Sequence, residues 1–172
     1  MEELIKQPCP VCGKSGLTLR DREIEVPYFG KTFVFAMQCS ECGFSKADVE
    51  FSEKRDPVKI IFEVNCEDDL LSRVIKSSSA KVKLPGLRMS MEPGENSEGF
   101  VTNVEGLINR FEKILEMQRD TTDDKAIRKK AKNLLKKIWK IKLGEIPLKI
   151  IIEDKNGNSA IISDKAEISK LK

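Results

Sequence analysis

The chain reads as a mainly β protein with one α-helical hairpin, headed by a small ribbon clamped by cysteines. Three observations predict this class. Two Cys-x-x-Cys pairs, Cys9/Cys12 and Cys39/Cys42, stand 26 residues apart in the matching settings CPVCG and CSECG. Apolar residues alternate with period two through much of 17–37, and again near 58–64, 82–91 and 148–152. One stretch, 104–142, instead carries its apolar residues at helical spacing, in two segments.

The cysteines point to a metal. Zn(II) favours tetrahedral, polarisable sulfur ligands, and two intervening residues let one tight turn present both thiolates to the same ion. Each pair is a half-site, so Cys9, Cys12, Cys39 and Cys42 together predict one four-thiolate site for one structural Zn(II). Gly13 and Gly43 follow the second cysteine of each pair, where positive φ can turn backbone N–H groups toward the sulfurs. The spacer exceeds the usual ribbon spacing of about 15–20 residues, which leaves room for a hairpin. A lone Cys-x-x-Cys would suit redox chemistry, and paired cysteines would suit disulfides in a secreted domain. Neither fits, because the first six residues hold no apolar signal core and a fifth cysteine, Cys66, makes the count odd. Cys66 follows the alternating Val58, Ile60, Phe62 and Val64, and reads as a small buried hydrophobe. Four protein ligands leave no position for water or substrate, so the site builds structure. The clamped segment, about forty residues, is too short to bury an adequate core alone, and metal binding supplies its folding free energy.

Composition narrows the function classes. With 172 residues, 34% charged and 40% hydrophobic, the chain has room for the zinc module and one compact domain of about 120 residues. No apolar run is long enough to cross a membrane, and a cytoplasmic location is expected. Lysine and glutamate richness suits a thermophile. The formal net charge of +3 moves toward zero once four thiolates and one Zn(II) are counted, so global charge says little about partners. Histidine is absent. That excludes Ser-His-Asp and Cys-His nucleophile systems and the imidazole ligands of catalytic zinc or non-haem iron. Neither GxxxxGK[ST] nor GxGxxG occurs. No pair of carboxylates stands out for acid–base work, and a non-enzyme is expected.

The elements follow in order. Residues 17–20 and 23–26 alternate, residues 27–30 break the run, and 31–37 resume it, which predicts a β-hairpin with Tyr28, Phe29 and Gly30 at its tip. Tyr28 and Phe29 there form a contact surface, or Phe29 folds back on the small core. Strands follow at 58–64, 82–84 and 87–91, with a Pro85-Gly86 turn between the last two. Leu70, Leu71, Val74 and Ile75 suggest a short helix or turn-rich link over 68–77, and the polar, glycine-rich 92–103 suggests a loop.

Two amphipathic helices come next. Val104, Leu107, Ile108, Phe111, Ile114 and Leu115 line one face of the first, and Ile127, Ala131, Leu134, Leu135, Ile138 and Ile141 line the second. Residues 119–124 make the turn, with a Thr or Asp capping the second helix. Asn156-Gly157, between the alternating 148–152 and the apolar 160–162, is a strong hairpin signal.

The second helix holds nine basic residues between Lys125 and Lys142 and no acidic one. It reads first as a solvated face, and alternatively as a surface for phosphates or an acidic protein.

CPVCG, then Glu25-Val-Pro-Tyr-Phe29, then CSECG-Phe44 closely resemble the opening of the ZPR-type ("zinc protein one") zinc-finger family. Ser72-Arg-Val-Ile-Lys-Ser77 with Val82-Lys-Leu-Pro-Gly-Leu87, then Gly99-Phe-Val-Thr-Asn-Val-Glu-Gly-Leu107, then Ile152-Glu-Asp-Lys-Asn-Gly-Asn158, are similar to its downstream motifs, in the family's order. Gly86 stands where the family often has glutamate, so no contact of that carboxylate carries over. The resemblance implies a zinc ribbon at 1–52 and a small double-stranded β-helix, jelly-roll-like, at 53–164. A helical hairpin is inserted at about 104–142, and a charged, loosely held tail occupies 165–172. It also implies a single-unit, archaeal-type member, where eukaryotic members carry two units and look like binding partners of translation elongation factor one-alpha.

The expected function is a zinc-dependent protein-interaction module for an elongation-factor-type GTPase. Tyr28 and Phe29 are its contact residues, and the basic helix is a second surface. The alternative is a nucleic-acid-binding zinc ribbon protein of transcription or translation, with Lys129, Lys130, Lys136 and Lys137 on phosphates.

Overall fold

The computed structural model describes residues 2–26, 30–51, 55–94 and 97–171. Its N-terminal part is a four-stranded antiparallel meander of β1 (Glu2–Gln7), β2 (Leu17–Val26), β3 (Gly30–Cys39) and β4 (Ser45–Phe51), paired in that order. The alternating segments form the central pair, in register from Leu17 opposite Cys39 to Val26 opposite Gly30. Two edge strands that the alternation did not signal flank them. β1 is polar, and its Glu3 pairs with Arg20 of β2 at 2.9 Å. Among the described residues the buried apolar cluster of this sheet is Cys9, Leu17 and Cys39, with Cys12, Leu19, Met37 and Phe44 packed half-buried against them. At about 1.5–3 kcal/mol for each fully buried large apolar side chain, so few cannot offset the ordering of some fifty backbones at about 1–2 kcal/mol each.

The rest is a two-sheet sandwich. Strands β5 (Val58–Val64), β6 (Arg73–Lys76), β7 (Ala80–Leu84), β8 (Met89–Met91) and β9 (Phe100–Asn103) precede helices α1 (Val104–Thr121) and α2 (Lys125–Lys142). Strands β10 (Leu148–Asp154), β11 (Ala160–Ile162) and β12 (Glu167–Lys170) follow. The five-stranded sheet runs β12-β5-β10-β7-β8 and the three-stranded sheet β11-β6-β9. Alternation along β5, β7 and β10 turns Ile60, Phe62, Val64, Ala80, Val82, Leu84, Leu148, Ile150 and Ile152 inward, where they join Val74 and Ile161 of the smaller sheet. Val104, Leu107, Ile108, Phe111 and Leu115 of α1, with Ile138 and Ile141 of α2, complete the same core. Ile114 and Ile127, read from sequence as core-facing, are 48% and 39% exposed, so the far end of the hairpin projects beyond the sandwich.

Both helices start on side-chain caps. Asn103 Oδ1 accepts the Gly106 N–H at 2.8 Å, and Asp124 Oδ1 accepts the N–H groups of Ala126 and Ile127 at 2.7 and 3.3 Å. Because α1 runs on to Thr121, the turn shrinks to residues 122–124.

Four expectations need correction. The 68–77 segment holds one 3₁₀ turn, Glu67–Leu71, and then strand β6, since the β-branched Val74 and Ile75 pair with β9 and β11. The end of the 92–103 loop is β9 itself. The Asn156-Gly157 turn makes no hairpin, because β10 and β11 belong to different sheets. The tail is not loose: β12 pairs with β5 from Glu167 opposite Ile61 to Lys170 opposite Val58, and Lys165 Nζ reaches the buried Asp69 carboxylate at 2.6 Å.

Asp154 explains the corner between the sheets. Its fully buried carboxylate accepts five hydrogen bonds of 2.7–2.9 Å, from the hydroxyls of Ser77, Ser79 and Ser159 and the N–H groups of Asn156 and Asn158. Burial opposes its charge, but those donors prevail and hold its pKa below the usual carboxylate value. The chain is thereby bent from β10 toward β11 and tied to the end of β6. Gly157 turns at φ +67°, and a Cβ there would stand 2.3 Å from Asp56 O, in the segment that leads out of the ribbon. Asp48 Oδ1 of β4 accepts the Gly99 N–H at 2.8 Å just before β9, which joins the ribbon to the sandwich.

Two outcomes follow. Asp154→Ala leaves five donors, those of Ser77, Asn158 and Ser159 buried, without their acceptor and should lower unfolding free energy by about 3 kcal/mol or more in urea titration; a loss under about 1 kcal/mol would refute the corner's role. Asp69 is held down at about 2 by the hydrogen bond from Lys165, then by the Asn65 N–H. A depressed folded-state pKa contributes stability above the unfolded value, near 3.8, that is lost as pH falls through about 2. Lys165→Ala should therefore raise the pH at which acid unfolding begins, followed by circular dichroism; an unchanged acid transition would contradict the link.

Candidate metal centre

Two equivalent knuckles deliver the cysteines. In the first, the Gly13 N–H bonds Cys9 O at 2.8 Å and the Cys9 N–H bonds Lys14 O at 2.9 Å; in the second, the Gly43 N–H bonds Cys39 O at 3.1 Å and the Cys39 N–H bonds Phe44 O at 2.8 Å. Gly13 and Gly43 turn at φ +71° and +73°, left-handed values that cost glycine nothing. The Ser40 N–H reaches Gly16 O at 3.0 Å and holds one knuckle to the other.

All four sulfurs lie within 4.8 Å of one another. Cys9 Sγ is 3.7 Å from Cys42 Sγ, and Cys12 Sγ is 3.8 Å from Cys39 Sγ. A tetrahedron with Zn–S bonds of about 2.3 Å has edges of about 3.8 Å, so these side chains fit one structural Zn(II) with no rearrangement of the knuckles. The fifth cysteine, Cys66, stands apart at the start of the 3₁₀ turn Glu67–Leu71 and does not belong to the cluster.

The thiols explain why the site calls for a divalent cation. Burial opposes the Cys9 thiolate, but the N–H groups of Cys12 and Val11, then the thiols of Cys39 and Cys42, bring its pKa down to about 7. The Phe44 N–H favours the Cys42 thiolate, yet loss of water and the three neighbouring sulfurs push that group up to about 12. The first negative charge forms readily and the last does not. A doubly charged ion binds all four at once, releasing protons as it does so. When bound, zinc supplies crosslinking here; four sulfurs close its coordination sphere to solvent.

Of the other residues singled out from sequence, Tyr28 and Phe29 lie outside the described residues, between β2 and β3. Lys129, Lys130 and Lys136 are exposed on α2, whereas Lys137 is half-buried and donates to Gly86 O at 2.7 Å. The four do not share a face: Lys129 and Lys136 align, and Lys130 and Lys137 lie about 100° round the helix.

Sequence reasoning missed a second constellation, in which distant motifs meet. Lys76, next to Ser77 of the Asp154 network, is 1% exposed and donates to Ser77 O at 2.9 Å. Its ammonium lies 5.6 Å from the Phe100 ring centre, and the Arg110 guanidinium covers that ring at 3.9 Å. Burial depresses the Lys76 pKa, while the charge of Asp154 opposes the fall. A lysine so enclosed braces the corner from within. The one signal in the sequence was a charged residue at an inward position of a strand.

Comparison with known proteins agrees with this architecture. The ZPR1 zinc-finger domain matches residues 3–57 and the ZPR1 jelly-roll domain residues 68–171. A ZPR1-like protein of Methanocaldococcus jannaschii is 39% identical over 168 residues, covering 97% of this chain and 85% of that protein. A ZPR1-like protein of Pyrococcus horikoshii is 37% identical over 177 residues, covering 99% of this chain and 78% of its own length. The zinc finger chaperone zpr1 of Schizosaccharomyces pombe is 29% identical over 161 residues, which are 91% of this chain and 34% of that protein.

Zinc removal should separate the two parts. A strong chelator is expected to collapse amide signals of β1–β4 in a two-dimensional NMR spectrum while those of the buried β5 and β10 persist, and Cys39→Ser should do the same without chelator. Persistence of dispersed β2–β3 signals in metal-free protein would contradict a metal-dependent ribbon.

Proposed function

The chain belongs to the ZPR1 zinc-finger family, and from that premise we propose a zinc-dependent protein-interaction module that binds a translation elongation factor one-alpha type GTPase or its folding intermediate. It acts in the cytoplasm, by recognition and without catalysis. The observation that carries this reading is the ribbon's geometry. The zinc clamp closes one end of the β2–β3 ladder, and nine strand steps of about 3.4 Å carry the chain roughly 30 Å to the other. The ladder continues to Val26 opposite Gly30, with β4 alongside as far as Phe51 opposite Thr32; a long, supported hairpin suits presentation of a contact tip, and the sequence places Tyr28 and Phe29 at that tip. Aromatic anchors on a pre-ordered hairpin lose little side-chain entropy on binding.

Three further points support the reading. The closed coordination sphere offers zinc no Lewis-acid role. A relative over 91% of this chain carries the name of chaperone. No helix among the described residues is long and apolar enough to cross a membrane.

The zinc-loaded protein should capture the purified elongation factor on a biosensor surface. Tyr28→Ala with Phe29→Ala should weaken capture by about a thousandfold, as two hot-spot truncations of about 2 kcal/mol each would. Unchanged capture by the double variant would rule out the tip, and no capture by the parent would rule out the partner.

A further inference from the structure

The outward face of α2 carries a charge pattern that neither the zinc site nor the core uses. Steps of three and four residues return to nearly the same direction on a helix, and at such steps stand Lys125, Lys129, Lys132, Lys136 and Lys140, all exposed. Beside the last of them Trp139 is 60% exposed. The opposite face buries Ala131, Ile138 and Ile141. The helix contains no acidic residue. Lysines nearer the core are engaged by the fold, Lys142 with Glu112 and Lys137 with Gly86 O. In the outward row Lys140 meets Glu145 at 3.7 Å, and the other four make no ion pair among the described residues.

Three anionic occupants could meet five aligned cations. A membrane surface requires a helix that inserts an apolar face, and the apolar face of α2 is already buried. An acidic partner helix docks through apolar anchors repeated at i, i+3, i+4 and i+7; here Trp139 and Leu143 make one exposed pair at the C-terminal end, and no further apolar anchor continues along the row from Lys125 to Lys136. A single nucleic-acid strand needs a line of point charges for its backbone and an aromatic plate for a base, and this face has both. The row extends about 22 Å along the axis, room for several phosphates.

We propose that the outward face of α2 binds single-stranded nucleic acid, with the five lysines along successive phosphates and Trp139 stacked on a base. This surface shares no residue with the tip at Tyr28 and Phe29.

Trp139 is the sole tryptophan, so intrinsic emission reports the site directly. Titrating zinc-loaded protein with a uridine decamer should quench that emission saturably. The logarithm of affinity should fall against the logarithm of salt with a slope of about −3.5, or about 0.7 for each of five phosphates. Replacing Lys129, Lys132 and Lys136 together by Gln should bring the slope to about −1.4 and weaken binding about tenfold or more at low salt. Trp139→Ala, followed by anisotropy of a labelled decamer, should bind about tenfold more weakly with its slope unchanged. A deoxythymidine decamer run in parallel assigns the source: weaker binding marks RNA, equal binding marks single strands of either sugar, and both uphold the proposal. It is overturned by no binding at about 50 mM salt, by a slope the triple variant leaves unchanged, or by polyglutamate that quenches Trp139 and displaces the decamer.

Discussion

Four sulfurs that can close on one ion are the constraint on which the N-terminal ribbon of this protein depends. Among the described residues the ribbon's buried apolar cluster is Cys9, Leu17 and Cys39, and two of these three are metal ligands. Its sheet therefore holds its shape through coordination, with hydrophobic burial a lesser contribution. The knuckle glycines, the matching backbone bonds of the two half-sites and the split of Cys9 and Cys42 pKa values to about 7 and about 12 are parts of one device. The backbone presents N–H groups to sulfur, and the accumulated negative charge demands a cation.

The sandwich is stabilised on a different principle. Its core is continuous from β5 and β10 through both helices, with Phe62, Phe111 and a row of branched aliphatics fully or nearly fully enclosed. Against that apolar background stand Asp154 and Lys76, both sequestered from water. Asp154 has five donors and Lys76 one carbonyl, so the anion is well solvated by protein and the cation much less so. Such groups are poor sources of net stability and good sources of uniqueness, because alternative packings would strand a charge. Here they specify which sheet the chain enters after β10, and they do so at the point where the segment from the ribbon passes over Gly157.

How much was legible in the sequence follows from the range of each signal. The zinc ligands were readable because Cys-x-x-Cys is a local geometry repeated twice. β5, β7 and β10 were readable because one face of each is buried, and the helices because their apolar stripes are. Strands β1, β4, β9 and β12 were not readable: they lie at sheet edges with mixed polar faces, and backbone pairing places them. Asn156-Gly157 misled for a related reason. The dipeptide encodes a turn, while the destination of the following strand is decided by Ser77 and Ser79, some eighty residues earlier. The order of strands in the sandwich was legible in no local pattern, and the family resemblance implied only the fold class. The split of the α2 lysines into an outward row and an engaged flank needed the fold, because burial of the neighbouring turns determines which face looks out.

X-ray absorption at the zinc edge of the purified protein distinguishes a closed, all-sulfur zinc centre from an open one. A closed centre gives one zinc per chain with four sulfur scatterers at about 2.3 Å and no light-atom neighbour bound to the metal. A shell containing oxygen or nitrogen, or fewer than four sulfurs, would contradict it and reopen a chemical role for the metal.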